Sequence, residues 1–231
     1  MKNAIILCSG GLDSVVATYS IKDKYSKLKF LFFDYGQRAL KEEEFCVKKI
    51  TKRLNAEFKK VKLSWLGEIS TAMLNKIESF KETTDKDLEK KEGLLTWWVP
   101  CRNSIFLINA LAFAESEFIK NKERYDIVIG LKNEGEAHFK DTTEKFIKKF
   151  QELSKDATND GSYEILAPLI KMDKPEVIKL GKTLKVPFEL TYSCYIESYK
   201  DLVHCGKCLN CMLRKKGFYW AGIDDPSFYS H

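Results

Sequence analysis

The 231-residue sequence contains no long hydrophobic run, no internal repeat and no low-complexity linker. Because no stretch approaches the roughly 18 consecutive apolar residues of a membrane span, we expect no membrane partner. The first three residues lead directly into a strand-like run, so we expect no cleaved signal peptide and a cytoplasmic location. The length fits one domain of generous size, or one domain with a small appendage.

A strong excess of one charge is also missing. The 39 Lys and Arg against 33 Asp and Glu leave a net charge of +6. Because the opposite charges are interspersed, we expect the lysines on solvated helix faces and do not expect a nucleic-acid partner. Hydrophobic residues make up 44% of the chain and aromatic residues 13%, which suffices for a real core.

Short apolar runs alternate with segments of helical periodicity along most of the chain. A helix with Phe45, Cys46 and Ile50 on one face follows the second run, and a capped helix opens at Asp173. Residues 103–119 are apolar nearly all round, which predicts a central buried helix. This alternation predicts an α/β fold, a doubly wound parallel sheet of about five strands. The predicted strands are residues 4–8, 28–33, 58–63, 126–130 and 163–167.

The first predicted strand ends in a glycine pair flanked by serines, and a helix follows at once. Glycines permit backbone conformations that point several N–H groups into one small space, and the helix start adds a positive dipole end. No lysine follows the glycines, so this is not the common P-loop. The acidic side chain within the loop indicates a cation, Mg²⁺ on the phosphates of a nucleotide such as ATP. The loop consists of Ser9, Gly10, Gly11, Leu12, Asp13 and Ser14.

Other polar sequences follow strand ends, where ligands of such sheets bind. After the second strand, Tyr35 offers a stacking face for adenosine, and Asp34 and Gln37 offer hydrogen bonds. A polar run, residues 130–134, follows the fourth strand. Arg102 precedes the predicted buried helix, where a charge is costly unless it meets an anion. Asn103 or Ser104 is expected to cap that helix.

Seven cysteines divide into two groups. Cys8, Cys46 and Cys101 lie among apolar neighbours and are predicted to be buried. The other four lie within eighteen residues at the spacing of a metal site, which favours structural zinc bound by four thiolates. An iron–sulfur cluster, or a set that includes His204, stays an alternative. These four predicted ligands are Cys194, Cys205, Cys208 and Cys211.

The glycine loop resembles the pyrophosphatase loop of the N-type ATP pyrophosphatases, which cleave ATP to AMP and pyrophosphate while adenylating an oxygen. Taken with four further motifs, the chain resembles the QueC family of 7-cyano-7-deazaguanine (preQ0) synthases of queuosine biosynthesis nearly from end to end. The matching motifs are residues 9–14, 33–38, 99–107, 190–195 and 205–218.

This resemblance implies an adenine nucleotide α-hydrolase-like domain over residues 1–188 and a zinc-binding segment over residues 189–231 packed on it. It also implies a ligase that adenylates 7-carboxy-7-deazaguanine, passes it to ammonia as the amide, and adenylates again to give the nitrile. We further expect a homodimer. The implied substrate residues are Arg102, Asn103, Phe139 and Asp141; among them Arg102 and Asp141 are expected to be catalytic together with Asp13.

The chain departs from the family in one run. Where the family has Tyr-Pro-Asp-Cys-Arg, this sequence has residues 139–143, which keep the aspartate and lose the Pro, Cys and Arg. Losing an Arg from a site for an anion predicts a slow second adenylation. This departure makes one alternative a QueC-like paralogue of antiphage operons, including type IV CBASS, that joins the activated deazaguanine to an amine of a nearby-encoded protein. A second alternative, which would use the basic surface and an iron–sulfur cluster, is a tRNA-modifying adenylase.

Overall fold

The computed structural model describes residues 2–76, 96–134, 139–198 and 202–230. Within these residues the chain forms a five-stranded sheet in the order β3-β2-β1-β4-β5, and every neighbouring pair is parallel. The predicted sheet is therefore confirmed, with strand ends shifted by a few residues. The strands are β1 (Lys2–Leu7), β2 (Tyr25–Asp34), β3 (Glu57–Lys62), β4 (Tyr125–Ile129) and β5 (Ile165–Leu166).

Helices connect the strands and cover both faces of the sheet, as a doubly wound fold requires. Short 3₁₀ turns occur at Lys22–Lys24, Lys140–Thr142 and Phe188–Leu190. None of the described helices combines the length and the apolar composition needed to cross a membrane. The helices are α1 (Leu12–Ile21), α2 (Leu40–Arg53), α3 (Ser64–Ile69), α4 (Arg102–Asn121), α5 (Glu144–Ala157), α6 (Lys174–Thr183) and α7 (Leu209–Ala221).

Successive side chains of β1 point to opposite faces of the sheet and so belong to two separate hydrophobic cores. Ile5 and Leu7 point to the face that α4 and α5 cover, whereas Ala4 and Ile6 point to the face that α1, α2 and α6 cover. All four side chains are at most 6% exposed. A strand buried on both faces is typical of the centre of a parallel sheet, and β1 therefore holds the loop that follows it on a rigid base.

The predicted start of α6 is confirmed in detail. The Asp173 carboxylate accepts a hydrogen bond from the Glu176 backbone N–H at 2.9 Å, and the Glu176 carboxylate accepts one from the Asp173 N–H at 2.8 Å. Pro175 occupies the first turn. Such a reciprocal cap satisfies two N–H groups that the helix itself cannot pair, and Lys174 is the first helical residue after the cap.

Three expectations around α4 are wrong. The helix buries one face only, and Ile108 and Ile119 on its outer side are 44% and 61% exposed, because a helix lying on a sheet covers it with a single stripe. Cys101 is exposed rather than buried, since it precedes the helix in a left-handed conformation (φ 53°). Asn103 does not cap the helix, which has no side-chain cap; its amide turns to another loop.

The C-terminal segment packs closely on α6. A Cβ on Gly217 would lie 2.4 Å from Cγ of Lys174, so the close approach of α7 to α6 needs a glycine there. Arg214, 1% exposed, is held by Asp225 (Nε to Oδ2, 3.0 Å) and by the hydroxyl of Thr191 at 2.8 Å. The boundary between residues 188 and 189 stays a prediction.

Candidate active site

A cavity of about 330 Å³ opens at the carboxyl ends of the central strands. Leu7, Phe33 and Ile129, which lie at the ends of β1, β2 and β4, form its floor, and the first turn of α4 forms one wall. Tyr192 and Leu213 bring the C-terminal segment to another wall. Ligands of doubly wound sheets bind at this edge, next to the point where the strand order reverses.

The glycine loop forms one end of the cavity. Gly10 has φ +75°, and a Cβ there would lie 2.6 Å from the carbonyl oxygen of Glu43, so α2 packs directly on the loop. The Ser14 hydroxyl donates to the carbonyl of Gly11 at 2.9 Å and lies 3.3 Å from the Ser9 hydroxyl. Gly11 is the N-cap of α1, and no side chain caps this helix. Its first N–H groups therefore remain available for an anion.

Asp13 forms an ion pair that the sequence did not suggest. Both of its carboxylate oxygens lie 2.7 Å from Nζ of Lys174, which the capped start of α6 directs into the cavity. The side chains are only 26% and 12% exposed. Burial lowers the pKa of Lys174, and the charge of Asp13 only partly offsets that effect. A carboxylate of the glycine loop and an ammonium group of α6 thus lie side by side at this end of the cavity.

Of the three nucleotide residues predicted at the end of β2, two line the cavity and one does not. The Gln37 side chain accepts from the N–H of Tyr35 and donates to the carbonyl of Phe33, both at 2.9 Å, so it holds this turn in place. Tyr35 and Gln37 line the cavity. Asp34 is not among the lining residues and pairs with Lys60 at 3.1 Å, so its contact with a nucleotide remains a prediction.

Arg102 is the first residue of α4 and lines the cavity together with the glycine loop. Its guanidinium carbon lies 6.0 Å from the ring centre of Tyr35. Burial opposes its charge, yet Tyr35, Tyr195 and Asp141 more than compensate and raise its pKa. A half-buried guanidinium that lines a cavity is a ready partner for an anionic ligand.

The run over residues 139–143 reaches the cavity in part. Phe139 and Thr142 line the cavity. Asp141 is 8% exposed, and burial raises its pKa although Arg102 opposes this shift. The amide of Asn103 donates to the backbone carbonyl of Asp141 at 3.2 Å, which fixes the run against α4. Asn103 also lines the cavity, whereas Asp141 does not appear on its wall.

Four charged residues of the cavity were not among the site residues predicted from the sequence. Lys132, 9% exposed, lies 3.7 Å from Glu134, and the polar run after β4 was the signal for both. Glu43 and Lys174 also line the cavity. No local pattern marks these two, because neighbouring elements bring them to the loop only in the folded chain.

The four predicted ligand cysteines converge on one point. Their sulfur atoms all lie within 4.8 Å of one another, and Cys205–Cys211 and Cys194–Cys208 are 3.9 Å apart. A tetrahedral site with metal–sulfur bonds of about 2.3 Å has sulfur–sulfur edges of about 3.8 Å. Backbone N–H groups of residues 196 and 205 donate to the Cys194 sulfur, and those of residues 207 and 208 to the Cys205 sulfur. The cluster therefore fits a thiolate-bound metal ion.

His204 lies beside this cluster without joining it. Its Nε2 accepts a hydrogen bond from the backbone N–H of Ser193 at 3.0 Å, and its ring packs between Tyr192 and Tyr229. A ligand set that includes His204 is therefore not formed among the described residues.

Leu209 and Asn210, which directly follow Cys208, line the cavity. The cysteine cluster thus holds one wall of the cavity in place.

The chain resembles known proteins over its full length. It is 36% identical over 228 residues to a protein named 7-cyano-7-deazaguanine synthase from Methanothermobacter thermautotrophicus, and 38% identical over 235 residues to one of the same name from Methanococcus maripaludis. Each match covers 98% of both sequences. Among solved structures, a 4-thiouridine synthetase in complex with RNA and bound ATP matches with a TM-score of 0.50 at 16% identity.

That structural match covers 100% of this chain and 47% of the other, and at such low identity it supports the fold alone. The family model described as queuosine biosynthesis protein QueC matches residues 3–222. The chain therefore belongs to the QueC family.

Proposed function

We propose that this chain is an ATP-dependent 7-cyano-7-deazaguanine synthase. The observation that carries the proposal is the single cavity that joins a phosphate-binding loop to Arg102 and Lys132, in a chain whose full-length relatives bear that name. One site with a nucleotide end and a cationic substrate end suits the adenylation of a carboxylate.

The nucleotide end is the loop at residues 9–14. The N–H groups at the start of α1 and the hydroxyls of Ser9 and Ser14 would hold the pyrophosphate part of ATP. Asp13 would hold the magnesium ion, which neutralises phosphate charge when bound. Lys174, whose ammonium group now pairs with Asp13, would then be available to pair with the phosphates. Tyr35 would stack on the adenosine.

The substrate end is formed by Arg102, Lys132 and Phe139. The half-buried Arg102 and the buried Lys132 would compensate the carboxylate of 7-carboxy-7-deazaguanine, so the site would remain cationic without the Arg that the family run carries. Phe139, whose ring centre lies 5.5 Å from that of Trp98, offers an apolar face for the flat base. Asn103 and Asp141 fix the run that carries Phe139.

The reaction needs positioning and charge stabilisation more than an enzyme nucleophile. The carboxylate oxygen attacks the α-phosphorus of ATP, pyrophosphate leaves, and ammonia displaces AMP to give the amide. The amide oxygen then attacks a second ATP, and loss of AMP leaves the nitrile. Both rounds use the same loop, and Arg102 faces first an anionic acid and then a neutral amide.

Zinc is the metal proposed for the four cysteines. A closed set of four thiolates is typical of structural zinc, which supplies folding energy and no open position for catalysis. Here it would tie residues 194–211 together and thereby hold Leu209 and Asn210 in the cavity wall. Elemental analysis of the purified protein should give one zinc per chain; iron with visible absorbance would instead indicate a cluster.

Incubation with ATP, Mg²⁺, ammonium and 7-carboxy-7-deazaguanine, followed by mass spectrometry, tests the proposed activity. We expect the amide to appear first, because the changed run at residues 139–143 predicts a slow second adenylation, and the nitrile to follow as the end product. An enzyme that stops at the amide, or one that adds the deazaguanine mass to a co-encoded protein, would contradict the proposal. The full-length relatives favour neither that conjugating alternative nor a tRNA-modifying adenylase. The homodimer and the cytoplasmic location stay predictions.

A further inference from the structure

Glu43 lines the same cavity as the loop at residues 9–14 and Arg102. It belongs to the first turn of α2, and its carbonyl packs on Gly10 of the phosphate loop. Its side chain is half-buried and lines the cavity, in electrostatic contact with Arg102 on the opposite wall. The atoms that react must lie between the phosphate loop and the substrate cation, and this carboxyl group borders that space.

The carboxyl group is held in a fixed orientation. Gln37 donates to Oε2 at 2.9 Å, and the same Gln37 side chain is fixed by the backbone of residues 33 and 35. Burial raises the pKa of Glu43 to about 7, Glu42 adds to this effect, and Gln37 and Arg102 oppose it. Tyr35, Cys8 and Cys46 are further titratable groups near it, and burial raises the pKa of each of them. A carboxyl group poised near neutral pH can both accept and release a proton.

The proposed reaction needs such a group. At neutral pH ammonia is present mainly as ammonium, which has no lone pair to attack a carbon atom. An ammonium ion entering the cavity must lose a proton before it reacts, in a site that already contains the cations Arg102, Lys132 and Lys174. Of the cavity's carboxylates, Asp13 is paired with Lys174 and Glu134 lies near Lys132. Glu43 has the neutral amide of Gln37 as its hydrogen-bond donor instead.

We propose that Glu43 forms the ammonium site of this enzyme and is the general base that converts ammonium to the attacking ammonia. This inference rests on the proposed synthase function and adds a residue to it. Gln37 positions the carboxylate, and the phosphate loop and Arg102 hold the acyl-adenylate beside it.

The protons balance in both rounds. In the first, ammonium gives one proton to Glu43, the nitrogen lone pair forms the C–N bond, and the C–O bond breaks with its electrons leaving on AMP. The second surplus proton leaves the nitrogen with the AMP phosphate. In the second round, Glu43 takes one N–H proton of the O-adenylated amide, and the last N–H proton departs with AMP as the nitrile forms. Between rounds Glu43 returns its proton to water.

Glu43→Gln tests the proposal because it keeps the size and the polarity of the side chain but cannot take up a proton. We expect substrate-dependent exchange of pyrophosphate into ATP to continue, while amide formation from ammonium falls by about 100-fold or more. Hydroxylamine, which is neutral at pH 7.5, should restore product formation as the hydroxamate. Glu44→Gln, one position along α2 at a carboxylate paired with Lys60, is the matched control and should change none of these rates.

Wild-type use of ammonium by Glu43→Gln would overturn the proposal, as would loss of pyrophosphate exchange without rescue by hydroxylamine, which would indicate a structural role. Glu43→Asp keeps a carboxylate and should retain part of the ammonium-dependent rate; equal loss in both variants counts against a base. If the wild-type enzyme itself shows no exchange that depends on 7-carboxy-7-deazaguanine, the proposed function fails, and this result is distinguishable from either outcome in the variants.

Discussion

The ion pair between Asp13 and Lys174 allows a quantitative test of the nucleotide end. Asp13→Asn removes the negative charge and leaves the buried ammonium of Lys174 facing Lys132 and Arg214, which both oppose its charge. Lys174→Met removes the cation and leaves Asp13, whose side chain is 26% exposed and so can still be solvated. The double variant removes both charges. Comparing the unfolding free energies of the three variants separates the interaction between Asp13 and Lys174 from the interactions of each side chain with other residues.

The unfolding free energy that each single variant is expected to lose lies between two limits. Breaking a fully buried pair by removing one partner costs about 3–5 kcal/mol, and an exposed pair contributes roughly 0–1 kcal/mol. With 12% and 26% exposure, we expect each single variant to lose about 2 kcal/mol of unfolding free energy, placed between those limits. The double variant should lose less than the sum, by about 1–2 kcal/mol of coupling.

The pH dependence of Asp13→Asn has a definite sign. Burial already lowers the pKa of Lys174 from its ordinary value of 10.5, and losing Asp13 lowers it further. Between the folded and the ordinary pKa, the unfolded chain binds more protons than the folded chain, so stability rises with pH in that window. Asp13→Asn should therefore recover part of its lost stability as the pH is raised toward 10.5.

Urea unfolding of the four proteins at several pH values gives these free energies, and pyrophosphate release gives the activity of each. Asp13→Asn should be folded and inactive, and the double variant should be inactive as well, because the proposed magnesium ligand is absent from both. Additive losses of stability, or full activity of Asp13→Asn, would refute the reasoning.

Three further predictions concern the loop, the base and the cysteines. Gly10→Ala should lower the melting temperature more than Gly222→Ala: both positions have positive φ, but only at Gly10 does a Cβ meet backbone, at 2.6 Å. The pKa of Glu43 is raised from 4.5 to about 7, so between these pH values the folded state binds more protons than the unfolded state. Urea titrations should therefore show that the stability of the wild type falls by roughly 3 kcal/mol relative to Glu43→Gln as the pH rises from 4.5 to about 7. Cys205→Ser should release the metal and lower the melting temperature in a calorimetric scan, whereas Cys46→Ser, outside the cluster, should keep the metal; equal zinc loss in both would exclude the assignment.

The sheet and the loop were predictable because their signals are local. The apolar run of β1 and the glycine pair after it fix a strand, a turn and a helix within fifteen residues. The cysteine spacing likewise predicted a cluster that the folded chain forms, with all four sulfur atoms within 4.8 Å of one another. Each of these patterns carries its physical cause in consecutive residues.

The rest of the cavity depends on contacts between distant elements. Lys174 reaches Asp13 across 161 positions, and Glu43 reaches the loop because α2 packs on Gly10. In sequence, both look like ordinary charged residues at the start of a helix. The prediction that Cys101 is buried was wrong for a different reason: apolar neighbours in the sequence do not determine which way a side chain points just before a helix begins.

The amount of AMP released per nitrile formed tests the central claim most directly, because that claim is that one cavity performs both adenylations. With 7-carboxy-7-deazaguanine, ammonium and excess ATP, we predict two AMP for each nitrile, both abolished together in Asp13→Asn. One AMP with the amide as end product, or AMP release that does not depend on the deazaguanine, would contradict the claim.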